Sequence, residues 1–139
     1  GRLRDTALRS VMVPDPPIVP EEITLAEVVA NAARWRPHTA FPVQATDGRI
    51  TGLLTADLVV AVPRERWATV RAAEVAWPID RVVVATVDDP LLSALHRSDA
   101  AGVERILVVW PDGRVAGTAG RDAVGRALRA PSAGPAPST

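Results

Sequence analysis

Between Asp47 and Asp57 the sequence runs DGRITGLLTAD, two glycines followed by a hydroxyl at Thr55 and a carboxylate at Asp57. A glycine that lets the backbone approach closely, with a hydroxyl donor beyond it, is what a phosphate-handling loop requires. The stretch has an echo, DGRVAGTAGRD from Asp112 to Asp122, in which Gly120 replaces the threonine. A ligand site built twice and a hairpin that the fold needs twice would both leave this pattern. In the second case Asp57 and Asp122 are helix caps, and capping is the favoured role for both.

Other chemistry finds little support. His38 and His96 are the only histidines, and they lack the HExxH spacing that sets two imidazoles on one helical face. His96 reads as a part-exposed residue in mid-helix, and His38, after Pro37, as a group that caps a helix end or faces a cleft. The sequence has no G-x-S-x-G elbow, no cysteine nucleophile and no glycine-rich loop followed by lysine. Asp88-Asp89 is explained by helix capping rather than by a metal. The segment is therefore read as non-catalytic, with no metal site.

Composition narrows the class further. With 47% hydrophobic and 23% charged residues in 139, the chain has material for one core, or for two small halves that share one. Sixteen acids balance sixteen bases, all of the latter arginine, which offers no general attraction to nucleic acid. The lack of cysteine removes disulfides and fits a reducing compartment. No apolar run reaches the roughly 18 residues of a membrane span, so no membrane insertion of this segment is expected. The start, Gly-Arg-Leu-Arg without an initiator methionine, reads as a cut inside a longer protein.

The elements that must position these residues are organised by duplication. Asp47-Gly48-Arg49-Ile50 stands in register with Asp112-Gly113-Arg114-Val115, Gly52 with Gly117, and Phe41-Pro42-Val43 with Ile106-Leu107-Val108. Each copy reads strand, helix, strand, strand, helix. In the first, Thr24 to Glu27 is a capping box for a helix that stops before Pro37. Strands follow over 40–45 and 50–54 about an Asp47-Gly48 turn, then a short helix over 58–62. In the second, 82–87 is a β-branched strand, and Asp89 caps a helix with Pro90 at its first position. Strands over 105–110 and 115–119 flank Asp112-Gly113, and a helix over 122–130 turns Val124 and Leu128 inward. The runs Val82-Val83-Val84 and Val108-Val109 predict strands covered on both faces. The segments are then 1–7 as a lead-in, 8–62 and 70–130 as the repeats, 63–69 as a solvated linker, and 131–139 as a disordered Pro/Ala/Ser tail.

On this pattern the chain resembles a known family. LRSVMVPDPPIVPEEITLAEVV with HTAFPVQATDGRITGLLTADLVV is similar to one cystathionine-β-synthase-type (CBS) motif, and VRAAEVAWPIDRVVVATVDDPLLSAL with GVERILVVWPDGRVAGTAGRDAV to a second. The resemblance implies an α+β tandem pair, or Bateman module: two βαββα CBS repeats packed sheet to sheet with pseudo-two-fold symmetry. It also implies a regulatory unit that forms a homodimer and takes adenine nucleotides, ATP, ADP or AMP, in the clefts between repeats. HTAFPV followed by VPRERWATVRAAEVA is similar to the CBS pairs at the C-terminus of actinobacterial site-2-type membrane zinc metalloproteases, of the peptidase M50 family. That likeness implies an attached protease domain, a full-length protein in the cell membrane, and this segment on the cytoplasmic side.

In the family, a hydroxyl after the turning glycine contacts phosphate, and an aspartate three residues further on holds both ribose hydroxyls. Gly52, Thr55 and Asp57 match these places in the first copy, but Asp57 comes one residue early and Leu58 takes the ribose position. Gly117, Gly120 and Asp122 match them in the second, without the hydroxyl. One residue at a helix start turns a side chain by about 100°. By the same matching, Met12 and Pro17 fall on the strand that packs on a base, and Thr39 and Ala40 line the cleft. Glu104 and Arg105 hold the latter places in the second copy, where Arg105 attracts a phosphate and Glu104 repels it. Two functional expectations result: a non-catalytic regulatory and dimerisation module, and an adenine-nucleotide sensor using Thr39, Thr55 and Asp57. Of the four tryptophans, Trp67 and Trp77 are expected at contacts and Trp35 and Trp110 in the core, with Arg64, Arg66 and Arg71 a basic patch around Trp67.

Overall fold

In a computed structural model of the chain, residues 3–129 are described, and the tail from Pro131 lies outside them. A 3-10 turn at Leu8–Ser10 leads to β1 (Val13–Pro14) and β2 (Val19–Pro20), then α1 (Leu25–Asn31), β3 (Ala40–Gln44), β4 (Ile50–Thr55) and α2 (Ala56–Val60). A 3-10 turn at Arg64–Arg66 and α3 (Ala72–Val75) connect to β5 (Trp77–Pro78). A further 3-10 turn at Ile79–Arg81 precedes β6 (Val83–Thr86), α4 (Leu91–Ala101), β7 (Arg105–Val109), β8 (Val115–Gly120) and α5 (Asp122–Arg129).

The halves exchange strands. One sheet has the order β2-β3-β4-β5 and the other β1-β8-β7-β6, so the strand leading into the first half joins the second, while β5 pairs back onto the first. In each sheet a central antiparallel hairpin carries a parallel edge strand, β2 or β6, on one side. The order reads alike from either half, which is the pseudo-two-fold symmetry of two βαββα repeats packed sheet to sheet.

Alternation of side chains along the strands builds the cores. On β7, Ile106 and Val108 pack with α4 and α5, while Leu107 packs toward the other sheet. On β4, Leu54 belongs to the helical side and Leu53 to the sheet interface. Leu53, Leu107, Ala40 and Val82 meet there, all buried, with Trp77 and Ile79 packed against them. Each leucine contributes about 2 kcal/mol by its burial.

The echoed DGR motif is a closed turn. Gly48 and Gly113 have φ of 93° and 90°, a region that strains any residue with a Cβ. Asp47 accepts from the Arg49 backbone N–H and, at 2.8 Å, from its Nε; Asp112 accepts in the same way from Arg114 at 2.7 Å. Gly52 and Gly117 answer a different need. A Cβ on Gly52 would stand 2.6 Å from the Trp77 carbonyl oxygen, and one on Gly117 2.7 Å from that of Val13. These glycines let the exchanged strands lie across the hairpins.

Several local expectations are corrected. The Thr24–Glu27 capping box is present, but α1 ends at Asn31 and turns continue toward Pro37. α2 begins at Ala56, two residues early, directly off β4. Pro90, and not Asp89, is the N-cap of α4; Asp89 accepts from the Thr86 N–H and hydroxyl and closes a turn. On α5, Leu128 is 66% exposed, because Ala123 and Ala127 occupy the inward face. β6 is a sheet edge, so Val84 is exposed; Arg97 donates to the Val84 carbonyl, and Asp89 takes the Thr86 N–H, which blocks further strand pairing. The 63–69 stretch is not a solvated tether. Trp67 packs on the first half's core and donates to the Val62 carbonyl at 2.8 Å, while Leu25 and Ala26 donate to the carbonyls of Val70 and Trp67.

Candidate functional site

One cleft between the halves gathers three of the candidate residues. Thr39 stands just before β3, Arg105 opens β7 and Asp122 opens α5; with Val13, Gly120 and Arg126 they line a space of about 30 Å³. Arg105 reaches across from the second half, and its Nη2 donates to Thr39 Oγ1 at 3.2 Å. Beside it, Arg126 donates from Nη1 to Asp122 and from Nε to the Val11 carbonyl, both at 2.8 Å. The Arg126 Nη2 is buried without a partner, a donor available to an anion or a water. Burial pushes the Asp122 carboxyl up, but the Arg126 bond and charge, with help from Arg105, pull it further down, so its value lies below the ordinary one. The remaining space admits a few waters at most, so a nucleotide at this place needs Arg105 to leave Thr39.

The other candidates do not line this cleft. Ala40 is 1% exposed, within the core between the sheets. Met12 packs partly into the second half's helical core, over Gly117, and Pro17 is half-buried between β1 and β2. Thr55 ends β4 with 2% exposure, its hydroxyl buried and unpartnered, so as placed it donates to no phosphate. Neither aspartate is a helix cap. Thr55 holds the N-cap position of α2, with no side-chain cap bond, and Asp57 is exposed in the first turn. Asp122 is the first residue of α5 and is bonded to Arg126 instead. Arg126 also lines the cleft, and its place four residues after Asp122 is the spacing of a helical ion pair.

A separate hollow of about 410 Å³ lies on the outer face of the first half, between α1, α2 and Trp67. Val28, Phe41 and Val59 supply buried walls, and Arg36, His38 and Thr39 stand at its edge. His38 Nδ1 is buried without a partner. Burial holds this imidazole below its ordinary pKa, against the opposing charge of Asp15. Among the described residues no three His, Cys, Asp or Glu side chains form a group able to hold a metal ion, and no helix is long and apolar enough to cross a membrane.

Two α+β halves that exchange strands and meet sheet to sheet define a paired-repeat module. Residues 8–63 match the model of the CBS domain family, and the two halves have the fold of a CBS pair. A relative named as a zinc metalloprotease, Rip3 of Mycobacterium tuberculosis, is 27% identical over 106 residues, which is 76% of this chain. The match spans only 27% of that relative's length. Among solved structures, a hemolysin-like protein containing a CBS domain from Oenococcus oeni superposes with a TM-score of 0.75 at 17% identity, covering 92% of this chain and 93% of that one. The CBS domain of a bacterial CNNM/CorC family Mg2+ transporter, in complex with ATP, superposes with a TM-score of 0.70 at 22% identity, covering 91% and 89%.

Proposed function

We propose that this chain is a non-catalytic regulatory CBS pair that works through protein contacts, associates with a second copy, and is attached to a membrane-embedded zinc metalloprotease of the site-2 type, on its cytoplasmic side. The observation that carries the reading is the Arg105–Thr39 bridge. With that bridge made and Asp122 tied to Arg126, this cleft is largely occupied by the chain's own side chains, while a second space between the halves, about 560 Å³ beside the two DGR turns, stays open. The protease attachment is supported by the likeness to Rip3, which covers three quarters of this chain.

Melting in millimolar ATP, ADP, AMP or S-adenosylmethionine is expected to match melting without them. A ligand at 100 times its dissociation constant adds about 2.7 kcal/mol, so a rise of several degrees overturns the contact reading. Light scattering across the micromolar range is expected to give the mass of a dimer, and a monomer throughout removes the association.

A second reading, an adenine-nucleotide sensor, is favoured by the unpartnered Arg126 Nη2 beside Arg105. The ATP held by the transporter domain of like fold supports it. In this reading Arg105 leaves Thr39 for a phosphate.

A further inference from the structure

We infer that the second space between the halves, beside the two DGR turns, is a recognition site for an extended basic segment of a partner protein. The inference rests on the contact reading above and names the surface and the chemistry of the contact.

Both halves build the space. About 560 Å³ is enclosed by Asp15 and Ile18, on the segment between β1 and β2, by the first turn at Gly48 and by the second at Asp112 and Arg114, with Trp110 as a wall. A smaller hollow of about 290 Å³ shares Ile18 and Gln44 with it and continues to Glu21 and Glu22. Ile18, 43% exposed, is an apolar wall common to both. The site lies at the turn end of the two hairpins, whereas Thr39, Arg105 and Asp122 stand at their open end.

The fold does not require the side chains that give this space its character. The Glu21 N–H donates to the Gln44 carbonyl as the Val87 N–H does to that of Val109, and the Ala45 N–H donates to the Arg49 carbonyl as the Trp110 N–H does to that of Arg114. These bonds make Val87 the counterpart of Glu21 and Ala45 that of Trp110. The repeat therefore accepts an aliphatic residue at the first place and a methyl at the second. Asp15 is held by its backbone: φ is 55°, in the left-handed region that Asp and Asn tolerate, and its N–H donates to the Ala116 carbonyl at 3.0 Å.

Charge selects the occupant. Among the described residues the walls hold one arginine, Arg114, and its Nε donates to Asp112 at 2.7 Å, so that pair is neutral. Arg49 acts on Glu21 at longer range and Arg71 donates to the Glu22 carbonyl, which offsets part of the charge in the smaller hollow. Asp15 has no ion pair among the described residues. An anionic bilayer or a nucleic acid meets like charge here, and among the described residues no group of three His, Cys, Asp or Glu side chains can hold a metal ion. A second copy docked by the same end brings the same carboxylates together. Docked by Arg64 and Arg66 it makes a head-to-tail contact, which does not close into a dimer. An elongated space with an indole, an aliphatic wall and an unpaired carboxylate fits a chain that carries cationic and apolar side chains in turn. Its cation meets Asp15 beside the Trp110 ring, and its apolar side chain covers Ile18.

The test follows the indole and amide N–H signals of the whole chain by nuclear magnetic resonance, during titration with a seven-residue peptide of alternating arginine and valine, about 23 Å long when extended. The same peptide with glutamate for arginine, and spermidine, serve as the other probes. The arginine peptide is expected to shift the Trp110 indole and the amides of Asp15, Ile18 and Gln44, and to leave the Trp67 indole, bonded to the Val62 carbonyl, in place. Asp15→Asn, which keeps a residue suited to the left-handed backbone, is expected to weaken binding about three- to tenfold with an unchanged melt. Ile18→Ser is expected to weaken it about fivefold, and Glu65→Gln, at an exposed carboxylate between Arg64 and Arg66, to leave it unchanged. Equal binding of the glutamate peptide or of spermidine, shifts confined to other residues, no binding, or unchanged affinity in Asp15→Asn overturns the proposal. So does a mass that grows past the dimer with concentration and falls back in Asp15→Asn, because the site would then belong to a second copy. None of these results touches the contact reading, which fails on nucleotide-dependent stabilisation.

Discussion

Replacing Gly52 or Gly117 with alanine separates a strand-crossing role for the echoed glycines from a phosphate-binding one. At an ordinary strand position the change stabilises by about 0.5–1 kcal/mol, because alanine loses less backbone freedom on folding. Here a Cβ on Gly52 would meet the Trp77 carbonyl oxygen at 2.6 Å, and one on Gly117 would meet that of Val13 at 2.7 Å, where ordinary contact starts at 3.4 Å. β5 or β1 has to retreat by most of an ångström. Each is two residues long and holds its sheet through two residue pairs, Gly52–Pro78 and Leu53–Trp77 or Val13–Thr118 and Pro14–Gly117, so a retreat disturbs the whole strand. Overpacking of this kind costs about 1–3 kcal/mol, or roughly 3–10 °C in Tm for a chain of this length. Urea titration should show a lower midpoint at unchanged slope for both variants. Gly48→Ala is the control: nothing lies within 4 Å of its Cβ, and its cost of about 1 kcal/mol comes from φ of 93° alone. If either Gly52→Ala or Gly117→Ala is as stable as the parent, the crossing argument is wrong, and a ligand has to explain the glycine.

Two further outcomes follow from local chemistry. Thr24→Ala removes the hydroxyl half of the α1 capping box, in which the Thr24 hydroxyl accepts from the Glu27 N–H at 3.1 Å, and leaves the bond from the residue-24 backbone N–H to the Glu27 carboxylate at 2.8 Å; the loss should be about 1 kcal/mol in urea titration. Burial depresses the His38 pKa, so the folded chain binds that proton less readily than the unfolded one. Its contribution is therefore full above the unfolded value of about 6.5 and is lost as pH falls through that value toward the folded one. His38→Gln should flatten the decline in Tm between about pH 7 and pH 5; parallel curves for parent and variant contradict the assignment.

What was legible in the sequence is what local geometry decides. The DGR turns, the two hairpins and the Thr24–Glu27 box each depend on residues within a few positions of one another, and each forms where its pattern stands. What depends on the other half was not legible. A two-residue strand such as β1 carries no mark of which sheet it joins, and it joins the distant one. Val82-Val83-Val84 reads alike in a central strand and at an edge, and only the sheet order exposes Val84. Within the site, Thr39, Arg105 and Asp122 do meet, but Ala40 and Thr55 fall on buried positions because each lies where the first half's hairpin is covered.

The difference between the two copies of the motif has a physical cause inside the fold. In the first sheet Ala40 pairs with Thr55, and in the second Arg105 pairs with Gly120 at the same place in the register. A Cβ on Gly120 would stand 3.2 Å from Arg105 Nη1 and 3.3 Å from its Cδ, tighter than ordinary contact. The threonine of the first copy, set at Gly120, would therefore press on the guanidinium that reaches Thr39. The glycine in the echo leaves room for the bridging arginine and for the Glu104 carbonyl oxygen, 3.1 Å from where a Cβ would stand. Glycine and arginine together favour a cleft closed from within, and they make the two clefts chemically unequal: one position in the register carries a buried methyl in the first half and a cation across the interface in the second. A ligand that binds this chain by displacing Arg105 has no equivalent step to make at Ala40.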